Sequence, residues 1–154
     1  MPRLEYFLVA NSLANDGGTN RLSVFDILDQ IWPQKFPAIL PNAALISQWN
    51  FGEEEKDLDF QFSVKVTPPK FPTHTVTHNV TAQKRKHRVI TAISGVPLVE
   101  AGRIMFELFC NGQMAGTFET EVHENEAGRN RQPDLMLIYP EKAEMVGKGF
   151  IASL

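Results

Sequence analysis

Alternation of apolar and polar residues is clearest in two stretches, residues 58–67 and 104–122. In the first, Leu58, Phe60, Phe62, Val64 and Val66 alternate with Asp59, Gln61, Ser63, Lys65 and Thr67. That period of two describes a half-buried antiparallel strand. In the second, Ile104, Phe106 and Leu108 precede Asn111-Gly112, and Met114, Phe118 and Val122 follow it, which reads as a β-hairpin. A two-residue turn of Asn111 and Gly112 would pair Phe109 with Met114 and set the two apolar groups on opposite faces. A three-residue loop, Cys110-Asn111-Gly112 with Gly112 left-handed, instead pairs Leu108 with Met114 and Ile104 with Phe118. This is the expected register, and it leaves Met105 and Phe109 as apolar residues on the outer face.

The remaining segments extend the same pattern. Residues 4–12 and 21–29 flank the turn formers Asn15, Asp16, Gly17, Gly18, Thr19 and Asn20 and form a first hairpin. Pro33, Pro37 and Pro41 then interrupt regular structure, because proline lacks a donor and restrains its predecessor. Residues 43–51 give a strand, Gly52 with Glu53, Glu54, Glu55, Lys56 and Asp57 an exposed acidic loop, residues 73–83 an edge strand or long loop, and residues 89–94 a short buried strand. No apolar stripe of helical period is sustained anywhere. The expected fold is all-β: a single antiparallel β-sandwich, immunoglobulin-like or C2-like, of about seven or eight strands. The sandwich domain spans residues 1–124, and residues 125–154 are a polar loop and C-terminal extension with at most one added strand, at 135–139.

Composition narrows the function classes. The chain has 154 residues and a formal net charge of -3, so no global polycation exists to condense on nucleic acid or anionic lipid. Glu5 interrupts the first apolar stretch, and the run from Tyr6 to Ala10 is too short for a signal sequence or a membrane span. Cys110 is the single cysteine, which suits a reducing compartment. The expected setting is cytoplasmic, with no membrane contact.

The segment FLVANSLANDGGTNRLSVFDILDQIWPQKFPAILPNAAL, followed by VPLVEAGRIMFELFCNGQMAGTFETEV, resembles a family of small bacterial and phage-associated β-sandwich proteins of unknown function. The resemblance implies a first hairpin ending in a Val/Ile-Phe-Asp step, a proline-bounded loop and a closing hairpin. Val96-Pro97-Leu98 stands where the family pattern implies a Leu-Pro pair. The resemblance implies no catalytic residues, so it bears on fold and leaves function open.

Candidate chemistry is sparse. His74 and His78 have the spacing of a helical metal pair, but β-branched Thr75, Val76 and Thr77 between them favour an extended chain, in which the two are about 13 Å apart and cannot share one zinc. Between Phe60 and Val99 there is no acidic residue, while Lys84, Arg85, Lys86 and Arg88 cluster, which offers a surface for phosphates or nucleic acid or a charged edge that blocks aggregation. The acidic loop lacks the ligand spacing of a calcium site. Nothing near Cys110 in sequence activates a thiol. Trp32 lies by the proline loop, where an aromatic can mark a contact surface.

The expectation from sequence is therefore a non-enzymatic module without cofactor or metal. It would bind a protein partner or a second copy through Trp32 and the outer-face residues Met105 and Phe109, with ligand or nucleic-acid binding through Lys84, Arg85, Lys86 and Arg88 as the alternative.

Overall fold

The structure, a computed structural model, describes residues 1–124. Within them the chain forms β1 (Arg3–Asn15), β2 (Leu22–Ile27), β3 (Gln30–Ile31), β4 (Ala38–Asn50), β5 (Asp59–Thr67), β6 (His74–Thr81), β7 (Lys86–Leu98), β8 (Gly102–Cys110) and β9 (Gln113–Val122). They make a four-stranded sheet in the order β2-β1-β4-β7 and a five-stranded sheet in the order β3-β9-β8-β5-β6. The all-β sandwich is thus as expected from the alternation, with one exception to antiparallel pairing. The two-residue strand β3 lies parallel to β9, because the chain leaving β2 crosses to the other sheet there. Thr120 Oγ1 donates to the Leu28 carbonyl at 2.6 Å and fixes that crossing.

The main core lies between the sheets. Trp49, Phe62, Phe106, Leu45, Ile104 and Leu108 are almost wholly buried in it. Trp49 packs at 4.7 Å on the Phe62 ring and donates its indole N–H to Ser47 Oγ at 2.9 Å, so both buried polar groups are satisfied. On β4, Ala43, Leu45 and Trp49 face this core, whereas Ala44 and Ile46 belong to a second cluster with Ala10, Leu22 and Val24. The β1–β2 hairpin therefore packs across the outer face of its own sheet. That explains why Ala43, Ala44, Leu45, Ile46 and Ser47 are all buried and show no alternation.

Several expectations need correction. Leu58 is exposed rather than buried, because its N–H is held by the Glu55 carbonyl in the turn before β5. Glu55 lies in a 3-10 turn and is buried rather than solvated. The strands expected at 43–51 and 89–94 are both 13 residues long. Each changes face part-way: Leu40 and Val96 are buried opposite one another, as are Ala43 and half-buried Ile93. The break between them holds Pro41 and Gly95, and Gly95 has a left-handed φ of 73° that glycine adopts without a Cβ penalty.

The closing hairpin also departs from the expected register. Cys110 pairs with Gln113 and Phe109 with Met114, but Leu108 pairs with Gly116. The turn is the two-residue Asn111-Gly112, both with positive φ as a type I′ turn requires. Ala115 is the extra residue of a bulge in β9. The bulge leaves Met114 in solvent and turns Phe118, Thr120 and Val122 inward. The strand expected at 135–139 lies outside the described residues.

Candidate functional site

The outermost strands β6 and β7 face each other on one side of the sandwich, and a side-chain hydrogen bond, His78 Nε2 to Thr91 Oγ1 at 3.0 Å, spans them. Beside it runs a groove of about 390 Å³. Val66, Pro68, Phe71, Pro72, His74 and Val76 form one wall, and residues 92–97 of β7 form the other. Its surroundings follow from the sequence: Pro68, Pro69 and Pro72 break the chain between β5 and β6, and the loop they shape holds Phe71 at the rim with 40% of its surface exposed. Among the residues lining it, His74 alone is titratable. Apolar reach and free backbone edges are what this groove offers.

At the other end of β7 the basic residues line two cavities, with Lys84 at both. Lys84, Lys86, His87 and Arg88 line a pocket of about 370 Å³ with Asn15 and Asn20 of the β1–β2 turn. The turn is set by Asp16, whose Oδ1 accepts the Gly18 and Thr19 N–H groups. Arg85 points elsewhere, its Nε donating to Asn50 Oδ1 at 3.4 Å, and lines a separate cavity with Phe51, Gly52, Glu53 and Lys56. Lys86 Nζ lies 3.4 Å from Glu5 Oε1. Burial and, secondarily, the ammonium of Lys84 hold His87 below the ordinary histidine value.

Trp32 stacks on His123 with centroids 5.0 Å apart and lines a third cavity with the proline loop. Met105 and Phe109 are half-buried in the five-stranded sheet, where the Lys65 ammonium sits 4.9 Å from the Phe109 ring centre. Trp32, the outer-face pair and the basic segment are thus in different parts of the molecule. His74 and His78 both lie on β6, as an extended reading requires, and His78 is engaged by Thr91. Among the described residues, no three His, Cys, Asp or Glu side chains are grouped to hold a metal ion. No helix among them is long and apolar enough to cross a membrane.

The β6–β7 groove escaped the sequence reading because its walls, residues 66–76 and 92–97, are separated in the chain and meet only through the sheet order. A signal existed in Pro68, Pro69, Phe71 and Pro72, a rigid apolar loop leading into a strand of little apolar mass.

The family model of DUF6941, a family of unknown function, matches residues 5–123. The chain belongs to that family. Among solved structures, the DUF6941 chain is similar in fold to Pseudomonas fluorescens alkylpurine DNA glycosylase AlkC bound to DNA containing an abasic site analog, with a TM-score of 0.52 at 9% sequence identity. The match covers 79% of this chain and 30% of the glycosylase chain. At that identity the likeness is one of fold. No curated protein matches the DUF6941 chain in sequence.

Proposed function

We propose that the protein is a non-enzymatic binding module that takes an extended, apolar segment of a partner polypeptide between β6 and β7. The observation that carries this reading is the groove itself: about 390 Å³, apolar on both walls, between two strands that are each the last of their sheet. A strand entering there pairs its backbone with a free edge and sends alternate side chains inward, which is how edge addition combines affinity with selectivity. Burial of apolar side chains supplies the larger part of the affinity, at about 25 cal/mol per Å² removed from water. The cations of β7 are confined to its start, at Lys86 and Arg88, while residues 92–97 carry no charge and leave that part of the edge unguarded.

Two further observations support a module without chemistry of its own. His74 lines the groove with no carboxylate among the other lining residues, which include one hydroxyl, Ser94, and an imidazole without a carboxylate lacks the orienting partner that acid–base catalysis commonly uses. Cys110 is wholly buried and its thiol is pushed up to about 11 by burial, so it is no ready nucleophile. A reducing, cytoplasmic setting suits that thiol.

The reading is tested by selecting a library of random dodecapeptides on the immobilised full chain, with sedimentation velocity on the same protein. The expected result is enrichment of peptides with alternating apolar residues, whose binding falls tenfold or more in Phe71→Asp at the exposed rim of the groove and is unchanged in Met105→Ser on the outer face. A dimer lost in Phe71→Asp would make a second copy the occupant. Absence of enrichment together with a monomer, or equal binding by Phe71→Asp, would overturn the reading.

A further inference from the structure

We infer that the pocket between the β1–β2 turn and the start of β7 is a binding site for a phosphate group. Three cations, Lys84, Lys86 and Arg88, and two amides, Asn15 and Asn20, line its 370 Å³ or so, with no carboxylate among the lining residues. The site is built by folding: the amides come from a hairpin tip that reaches the basic segment only because Leu13, Leu22 and Val24 pack on Ala44 and Ile46. A solvated charged edge would need no such roof.

Arg88 joins the cations from a half-buried position. Its Nε is buried and has no hydrogen-bond acceptor among the described residues. That nitrogen is closed to the pocket, so an anion there would meet Arg88, which lines the pocket, through the rest of its guanidinium fork. The nearby carboxylates are already engaged. Glu5 holds Lys86 and accepts from Gln48, and Asp16 is taken by the N–H groups of its own turn. Arginine binds phosphate through its planar fork and lysine as a point charge, so Arg88 fixes orientation while Lys84 supplies field, the charge of Lys86 being largely offset by Glu5. Asn15 and Asn20 add donors without adding charge.

No Phe, Tyr or Trp lines the pocket and its one ring is the half-buried His87, so it is built for phosphate rather than as a stacking platform for a base. What it recognises is the phosphate itself, carried either by a small molecule or by a nucleic-acid backbone. The two sources differ in their salt dependence, because a strand spanning several cations releases counterions and a single phosphate group releases few.

The test is calorimetric titration of the full chain with inorganic phosphate, with adenosine monophosphate and with a single-stranded dodecanucleotide, each at low and at physiological salt. At least one probe is expected to bind. Saturation by phosphate or the mononucleotide assigns a small-molecule site, and binding of the oligonucleotide alone, falling steeply with salt, assigns a nucleic-acid backbone. Lys84 is exposed at a bend, so Lys84→Gln keeps the fold and is expected to weaken binding about tenfold, the loss of one charge-assisted hydrogen bond. Asn20→Ala is expected to weaken it less. No binding of any probe at low salt, or binding that Lys84→Gln leaves unchanged, overturns the site.

Discussion

Phe106 lies opposite Phe118 across β8 and β9, with ring centroids 6.3 Å apart and planes at 67°. Uninterrupted pairing from Phe109 and Met114 would set Phe106 opposite Thr117 instead. Ala115 supplies the one-residue shift, and with it the inward face of the rest of β9.

The bulge makes opposite predictions for two apolar residues of one hairpin. Phe106→Ala removes a fully buried ring and is expected to cost about 3–5 kcal/mol. Met114 is 50% exposed, so Met114→Ser is expected to change stability by less than about 0.5 kcal/mol. Urea unfolding of the two variants checks both, and a large loss in Met114→Ser would contradict the register.

How far the sequence reveals this hairpin is instructive. Asn111-Gly112 identifies the turn, and matching the apolar sets shows that one extra residue must exist. Alternation alone does not say where it sits. The three-residue loop places it in the turn, whereas the structure places it at Ala115, next to Gly116. A Cβ on Gly116 would come within 2.8 Å of Leu4 Cδ2, so the missing side chain serves a contact with β1 that lies more than a hundred residues away in the chain. The same limit applies to β4 and β7. Their expected ends fall at the breaks around Pro41 and Gly95, where the inward face changes and a search for a single period stops. Groove and cationic pocket alike depend on which strands become neighbours, and local patterning does not carry that information.

Thr120 offers a test of the crossing between the sheets. Its side chain is wholly buried and its hydroxyl donates to the Leu28 carbonyl, so Thr120→Val keeps the shape and strands a buried acceptor. The expected cost is about 1–3 kcal/mol. Amide exchange should quicken at Glu121, whose N–H is held by the Asp29 carbonyl. Unchanged stability would mean that the Leu28 carbonyl finds another donor.

Glu55 sets an acid limit on stability. Burial alone would raise its carboxyl, but the Gly52 N–H at 2.7 Å and the Met1 ammonium at 3.0 Å outweigh it and hold the group below its ordinary value of 4.5. The unfolded chain therefore takes up the proton first. The contribution is complete above the ordinary value and is lost as the pH falls through the lower folded one. Glu55→Gln cannot titrate, so its melting temperature should lie below that of the wild type near neutrality, and the gap should narrow on acidification. A gap that does not change with pH would trace the effect to packing rather than charge.

Cys110 gives the sharpest separation of a packing role from a chemical one. The side chain is 0% exposed, and burial pushes its thiol up to about 11. At about pH 8 that leaves roughly one thiol in a thousand as the reactive thiolate even before access is considered. Iodoacetamide should therefore label the native protein at least about a hundredfold more slowly than the unfolded chain, whose thiol has its ordinary acidity. The native rate should rise with urea in step with global unfolding, because Cys110 sits at the end of β8, paired with Gln113 and Phe62. Labelling of the folded protein within minutes, with no dependence on denaturant, would show a thiol that is reached and activated in the native state. The case for a module without a nucleophile would then fail on the one residue able to supply a thiolate.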